Sequence, residues 1–260
     1  MGSMGQMMDP ATWGSVLLSG WSDMGHTAFW VAVLKIIWIN ILLSGDNAVV
    51  IAMACRGLPH RQRLWGMILG AGVAVGLRIV FTGVVASLML LPYLKIMGGL
   101  ALFYIAAKLL VPDDPDESEV EAVEHLWRAV RIVAIADIIM SLDNVIAIAA
   151  AAQGNMALLV LGLAISIPLI VAGAALIMAL LDRYPILVWA GAALLGWIVG
   201  EVIVTDPALY PYLVARFGAD GAHYIELFCA AVGAALVLLV GGYWRRAKLA
   251  EIGEKVSAAE

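Results

Sequence analysis

The sequence predicts an all-α membrane protein with seven transmembrane helices, arranged as an inverted three-plus-three repeat followed by a seventh helix. The 260 residues are 63% hydrophobic and only 13% charged, with a mean hydropathy of +0.98. A soluble domain, in contrast, is about half apolar and about a quarter charged. The apolar residues form long continuous runs without the alternation of β-barrel strands. The chain is therefore expected to form a single transmembrane domain over residues 1–260.

Seven runs are long enough to cross the hydrocarbon, which takes about 20 mostly apolar residues in a helix. Their bounds are roughly 28–55, 65–91, 94–111, 127–152, 156–181, 186–204 and 224–243. The third and fourth spans are joined by an acidic loop at 112–126, which carries seven acids and is expected to be the longest cytoplasmic connection. This loop is interpreted as a solvated connector or, alternatively, as a vestibule that collects cations.

Basic residues set the expected orientation, because cytoplasmic loops carry an excess of Lys and Arg. If the segment 56–64 is cytoplasmic and the sides alternate, eleven bases border the cytoplasm, and only Lys95 and Arg216 border the other side. The N-terminus is therefore expected outside and the C-terminus in the cytoplasm.

A weak internal repeat relates the two halves of the chain. With an offset of 97 residues, the polar residues that align are Asn40 with Asp137, Ser44 with Ser141, Asp46 with Asp143, and Asn47 with Asn144. Residues 28–111 are thus expected to form one three-helix unit and 127–204 a second, which enters the membrane from the opposite side because three is odd. Such inverted repeats are typical of secondary transporters, whose substrate sites lie near the bilayer midplane where the repeats meet.

Ionisable residues inside spans point to function, because a charge at the centre of a spanning helix costs about 2.5–3.5 kcal/mol. Acids outnumber bases in the spans by a formal charge of −2, which a divalent cation would balance. The residues counted are Asp46, Asp137, Asp143 and Glu201 against Arg78 and Lys35. Carboxylate and amide oxygens suit hard cations such as Mn²⁺, Mg²⁺ or Ca²⁺. The four histidines fall at loops or helix ends, which disfavours a zinc site.

The candidate site combines the residues of both motifs with two charged residues elsewhere. The candidate metal ligands are Asn40, Ser44, Asp46, Asn47, Asp137, Ser141, Asp143 and Asn144, and Arg78 and Glu201 are candidate coupling groups or counter-charges. Two alternatives remain open: the Asp-Asn pairs could only hydrogen-bond two helices together, and Asp137 could be the ion-pair partner of Arg78 or Arg131. Gly45 is expected to open the helix at the first motif. The second motif lacks this glycine and is expected to be more regular.

The segment "SGDNAVVIAMACRGLPHRQRLWGMILGAGVAVGLRIV" (44–80), followed by "IADIIMSLDNVIAIAAAAQGN" (135–155), resembles the TerC family of membrane proteins and in particular its YjbE-like branch. The resemblance implies a seven-helix protein of the bacterial inner membrane that exports manganese, with proton exchange as one coupling option. Carried over, the ion-binding positions are Asp46, Asn47, Asp143 and Asn144. Other branches have serine in place of Asn144, which leaves the ion preference open.

The expected function is that of a secondary transporter that exports a divalent metal ion, with Mn²⁺ as the first choice of substrate and Ca²⁺ or Mg²⁺ as alternatives. The sequence has no phosphate-binding loop, so the energy is expected from a gradient rather than from ATP. The expected partners are the metal ion and the bilayer. No enzymatic activity, organic cofactor or nucleic-acid partner is expected, and the oligomeric state is left open. The alternatives are an exporter of another small cation or amino acid, and a metal-stapled membrane partner protein without transport activity.

Overall fold

The computed structural model describes residues 25, 27–43, 45–88, 91–112, 119–152 and 155–259. The regular structure of these residues is helical, and no β-strand occurs among them. Their eight helices are α1 (Thr27–Leu43), α2 (Gly45–Cys55), α3 (His60–Leu88), α4 (Leu94–Lys108), α5 (Glu119–Ala152), α6 (Met156–Arg183), α7 (Ile186–Val204) and α8 (Tyr210–Ala259).

Within the described ranges, four helices are long and apolar enough to span a bilayer, and the bent pair α1–α2 makes a fifth if it is taken as one span. The four are in α3, α6, α7 and α8. The helix α4, with 15 residues, is shorter than a bilayer crossing requires. The chain is thus a multi-pass membrane protein, while the seven-span count stays a prediction.

The first predicted span is divided at the first motif. The helix α1 ends at Leu43, α2 begins at Gly45, and the axes of the two helices differ by 56°. Glycine weakens a helix because it loses more backbone freedom on folding than other residues. The helix α5, in contrast, carries the second motif without interruption from Glu119 to Ala152. The prediction that the first motif is the more irregular of the two is confirmed.

The last helix is longer than predicted from residues 224–243. It begins at Tyr210 and continues to Ala259, with a break at Gly218, where φ is 74° and ψ is 173°. Only glycine adopts such a backbone conformation at low cost. Beyond the apolar span the sequence is rich in Ala, Lys and Glu, which are strong helix formers. The helix therefore extends past the segment that hydropathy alone selects.

The helices pack as two groups. In the first group α5 packs on α3, and α6 packs on both α1 and α2 as well as on α3. In the second group α7 packs on both α4 and α8, and α4 also packs on α8. A continuous apolar core that includes Ile36, Ile51, Leu163 and Leu195 joins the groups. The polar residues of both motifs belong to the first group.

Small residues set the close approach of α7 and α8. A Cβ atom added to Gly196 would lie 2.6 Å from the carbonyl oxygen of Gly233, and one added to Gly200 would overlap the carbonyl group of Cys229. The spacing of Gly196 and Gly200 is that of a GxxxG motif, which lets helix backbones touch in a membrane. These two glycines therefore allow the close packing of α7 on α8.

A buried carboxylate, Asp206, ties the end of α7 to the start of α4. It accepts hydrogen bonds from the backbone N–H groups of Tyr93 (3.0 Å), Lys95 (3.0 Å), Ile96 (3.2 Å) and Ala208 (2.8 Å). Burial raises the pKa of Asp206, but these N–H donors outweigh that effect and hold the pKa below its ordinary value. The carboxylate therefore acts as an ionised cap for the N-terminus of α4.

Candidate functional site

A buried arginine, Arg78 of α3, lies among the polar residues of the first helix group. Its side chain is 2% exposed. Nη2 donates to Oδ1 of Asp137 at 2.5 Å and to Oγ of Ser141 at 2.9 Å, Nε donates to the same Oγ at 3.2 Å, and Nη1 donates to Oδ1 of Asn40. These charge-assisted bonds join α3 to α1 and α5. Of the partners left open for Asp137, the structure thus selects Arg78.

A serine that the sequence interpretation missed extends this network to α6. The Nδ2 group of Asn40 donates to Oγ of Ser166 at 2.5 Å, and that hydroxyl donates to the carbonyl oxygen of Leu163 at 2.6 Å. Ser166 is completely buried. It is the only hydroxyl-bearing residue in the predicted span 156–181, and this was the signal that could have identified it. We call Arg78, Asn40, Asp137, Ser141 and Ser166 the Arg78 cluster.

The Arg78 cluster does not use all of its acceptor capacity. The second carboxylate oxygen of Asp137, Oδ2, is buried and has no hydrogen-bond partner among the described residues. The cluster therefore retains one buried acceptor atom beside the ion pair.

Asp46 and Asn47 lie in the first turn of α2. Oδ1 of Asp46 accepts a hydrogen bond from the backbone N–H of Asn47 at 2.8 Å, and a carboxylate at this end of a helix is favourable. The Asn47 side chain is buried, and neither its Nδ2 nor its Oδ1 has a hydrogen-bond partner within the described part of the chain. Leaving a buried polar group unpaired costs about 1–3 kcal/mol. This amide is thus available to a ligand.

The second motif reaches the break in the first. The Nδ2 group of Asn144 donates to the carbonyl oxygen of Leu43, the last residue of α1, at 3.0 Å. The structure therefore brings α5 against the α1–α2 junction at the level of the two motifs. Ser44 and the side chain of Asp143 lie outside the described residues.

Glu201 lies in α7, in the second helix group. Its carboxylate accepts a hydrogen bond from Nε1 of Trp197, one turn earlier in the same helix, at 2.6 Å. Among the described hydrogen bonds of the Arg78 cluster, none involves Glu201. Its coupling role stays a prediction.

The atoms of the site that could bind a metal ion are amide, hydroxyl and carboxylate oxygens. No group of three or more His, Cys, Asp or Glu side chains that could hold a metal ion occurs among the described residues. A cation bound here would therefore depend on Asn and Ser oxygens and backbone carbonyls together with the aspartates. Hard divalent cations accept such ligands.

Comparison with known proteins identifies related membrane proteins. The model of the integral membrane protein TerC family matches residues 25–249. The uncharacterized membrane protein YjbE of Bacillus subtilis (strain 168) is 39% identical over 216 residues, which cover 83% of this chain and 96% of YjbE. The uncharacterized membrane protein YceF of the same organism is 26% identical over 193 residues, which cover 71% and 72% of the two chains. No solved structure matches the chain.

Proposed function

The chain belongs to the TerC family of integral membrane proteins, and from this premise we propose that it is a secondary transporter that exports a divalent metal ion, with Mn²⁺ as the favoured substrate. The ion binds between the two Asp-Asn motifs and is released on the opposite side of the membrane. The protein performs transport rather than catalysis and needs no organic cofactor.

The observation that carries the proposal is the meeting of the two motifs at the break between α1 and α2. Asn144 lies at the carbonyl group of Leu43, and the buried Asn47 amide has no hydrogen-bond partner among the described residues. A broken helix frees backbone carbonyls in the membrane, and transporters use such carbonyls to coordinate cations. An oxygen-rich position of this kind supports binding of a hard, partly dehydrated ion.

The donor types support Mn²⁺, Ca²⁺ or Mg²⁺ over softer metals. Asp46 and Asp143 supply charge, and Asn47 and Asn144 supply neutral oxygens, a combination that suits hard divalent cations. Met53 and Met140 are buried near the motifs in sequence, but both belong to the apolar core. The preference for Mn²⁺ therefore rests on the family resemblance.

Arg78 acts in this proposal as a tethered counter-charge. It neutralises Asp137 with a direct ion pair and uses Asn40 and Ser141 as further acceptors. These residues therefore hold the guanidinium when the metal is absent, and Asp46 and Asp143 remain as the acids for the metal. Protonation of Asp137 or Glu201 would couple proton entry to metal exit.

The helix contacts support an inverted repeat. The first repeat consists of α1–α2, α3 and α4, and the second of α5, α6 and α7. The contact of α5 with α3 corresponds to the contact of α1–α2 with α6, and the contact of α4 with α5 corresponds to that of α7 with α2. A pseudo-two-fold axis between the repeats relates such pairs, and rocking of the repeats would expose the ion alternately to each side.

The proposed orientation places the N-terminus outside and the C-terminus in the cytoplasm of the bacterial inner membrane. Arg63, which follows the first span, pairs with Asp182 at the end of α6, and both lie on the predicted cytoplasmic side. On the other side, Asp206 joins the end of α7 to the start of α4, where it accepts a hydrogen bond from the backbone N–H of Lys95. These contacts support the grouping of the loops on two sides of the membrane, and the distribution of Lys and Arg indicates which side is cytoplasmic.

Metal counterflow in proteoliposomes tests the proposal. Vesicles loaded with Mn²⁺ should accumulate labelled Mn²⁺ with the wild-type chain, and Asp46→Asn and Asp143→Asn should each lower the initial rate at least tenfold. Asp220→Asn is the matched control, because it removes the same charge at an exposed position outside both motifs. Full transport by both motif variants would refute the proposed site.

A second candidate function is that of a membrane partner protein without transport activity. The observation in its favour is that Arg78 already engages three of the proposed polar ligands, as a structural pin between helices would. In that case proteoliposomes with the wild-type chain would take up Mn²⁺ no faster than empty liposomes, and deletion of the gene would leave cellular Mn²⁺ unchanged.

A further inference from the structure

A basic cavity of about 480 Å³ lies at the end of the helix bundle that we propose to be cytoplasmic. It is formed where the α2–α3 turn, the end of α4, the beginning of α5, the end of α6 and α8 come together. The cations that line it are Arg56, Arg63, Lys108, Arg128 and Arg245, and Asp182 is the only acid among the described lining residues. The described residues that line the cavity therefore carry a large excess of positive charge.

Asp182, the one acid among the described residues that line the basic cavity, is already engaged. Arg63 donates to Asp182 at 2.6 Å and also to the backbone carbonyl oxygens of Arg56 and Leu58, each at 3.1 Å. Arg63 and Asp182 thus hold the α2–α3 turn in place. The positive charge of Arg56, Lys108 and Arg245 remains for another anion.

The environment of Arg56 supports this view. Burial lowers the pKa of Arg56, Asp182 opposes this effect, and the nearby charges of Arg245 and Arg63 lower the pKa further. Like charges that are held together in this way are stabilised when an anion binds between them. The basic cavity is thus arranged for an anion rather than for a cation.

An apolar groove adjoins the basic cavity on the outer surface of the bundle. It has a volume of about 800 Å³ and shares Lys108, Arg128 and Ile132 with the cavity. Apart from the shared Lys108 and Arg128, the groove is lined mainly by apolar and aromatic residues of α4 and α5, namely Ala101, Tyr104, Ile105, Trp127, Ile132 and Ile135. Glu124 and Arg131 also line it, and their formal charges cancel. Tyr104 and Trp127 are about half exposed, as is usual for aromatic residues near the membrane surface.

We propose that the basic cavity and the apolar groove together bind one anionic phospholipid. The phosphate group lies at Lys108, where the two spaces join, within the field of Arg56 and Arg245. One acyl chain lies in the groove between α4 and α5. Basic pockets between transmembrane helices on the cytoplasmic side recognise lipid headgroups in this way. A free phosphate ion would satisfy the cavity, but it would leave the adjoining apolar groove unused.

Native mass spectrometry of the detergent-purified full chain tests the proposal. The protein is mixed with equal amounts of phosphatidylglycerol and phosphatidylcholine, and the retained lipid is quantified. Wild type should retain phosphatidylglycerol in preference, and Lys108→Gln and Arg245→Gln should each lower its retention about fivefold. Arg246→Gln is the matched control, because this neighbouring arginine is exposed and does not line the cavity. Equal retention of the two lipids, or an equal loss in Arg246→Gln, would overturn the proposal.

Two further arms separate the lipid from free phosphate and from a loss of folding. Ala101→Trp fills the groove without a change of charge and should lower lipid retention. If retention is unchanged and millimolar inorganic phosphate releases the lipid, the site is assigned to free phosphate and the lipid proposal is rejected. Each variant is compared with wild type by its elution volume and unfolding temperature. If Lys108→Gln does not elute as folded protein, the comparison of Arg245→Gln with Arg246→Gln decides between acceptance and rejection.

Discussion

Replacement of Arg78 by methionine should strongly destabilise the protein. The guanidinium pairs with Asp137 and donates to Asn40 and Ser141 inside the helix group. Methionine fills much of the space but leaves the buried Asp137 carboxylate without its counter-charge. Removal of one partner from a buried ion pair costs about 3–5 kcal/mol, so we expect the free energy of unfolding of Arg78→Met to fall by that amount. This is a large share of the about 5–15 kcal/mol that stabilises a typical protein.

A double-mutant cycle separates the ion pair from simple packing. In the variant with both Arg78→Met and Asp137→Leu, no unpaired charge remains, and replacement of a buried pair by apolar residues is often neutral or stabilising. We therefore expect the double variant to recover most of the loss. Arg78→Lys keeps the charge but lacks the planar fork that reaches several acceptors, so its stability should lie between that of wild type and Arg78→Met.

Unfolding in mixed detergent micelles, followed by the fluorescence of the 9 tryptophans, measures these changes. Arg216→Met serves as the control, because Arg216 is exposed and surface substitutions usually change stability by less than about 0.5 kcal/mol. Additive effects of the two substitutions, or a loss in Arg78→Met no larger than in the control, would contradict the central position of Arg78 in the site.

Three further predictions concern other parts of the chain. Gly200→Ala should lower the free energy of unfolding by about 1–3 kcal/mol, because the added Cβ meets the backbone of α8. Gly72 has open space around it, so Gly72→Ala should be neutral or stabilising. Equal shifts of the unfolding temperature in the two variants would contradict this packing. Asn47→Leu should raise the free energy of unfolding by about 1 kcal/mol or more, because it removes a buried amide that has no hydrogen-bond partner among the described residues. The same variant should abolish Mn²⁺ counterflow. Unchanged transport would remove Asn47 from the proposed site. Asp206→Asn should cost about 1–2 kcal/mol at neutral pH. Because the pKa of Asp206 is lowered from 3.8, its contribution is complete well above pH 3.8 and is lost as the pH falls below that value, so wild type and Asp206→Asn should converge in stability there.

The parts of the site that sequence predicted are those that depend on local pattern. The spacing of Asp137, Ser141 and Asn144 is that of one helix face, and Asp137 and Ser141 do contact the same guanidinium. The irregularity of the first motif followed from Gly45. Such features are decided within one or two helical turns, where backbone propensity and side-chain period are visible in the chain itself.

The parts that sequence missed depend on how distant helices pack. Ser166 is a single hydroxyl in an apolar span, and nothing in its own helix indicates that Asn40 binds it from 126 residues away. The basic cavity likewise collects residues from five separate segments, each of which alone is an ordinary helix end or turn. Asp206 falls in a short turn, and its role as a cap depends on the packing of α7 beside α4.

The ion pair of Arg78 also bears on which ions the site can hold. Sequence alone counted six charged residues in the spans, with a sum of −2. In the structure Arg78 neutralises Asp137 directly. Lys35, exposed on α1, and Glu201, which accepts a hydrogen bond from Trp197 within α7, lie elsewhere, and their formal charges sum to zero. The two motif aspartates, Asp46 and Asp143, then carry the remaining −2 when both are ionised. A divalent ion cancels that charge inside the bilayer. A monovalent amino acid cation leaves one acid without a counter-charge, and an unpaired charge inside the bilayer is energetically costly and rare. If the protein transports ions as we propose, the pairing of Arg78 with Asp137 thus favours a divalent substrate over the amino acid alternative.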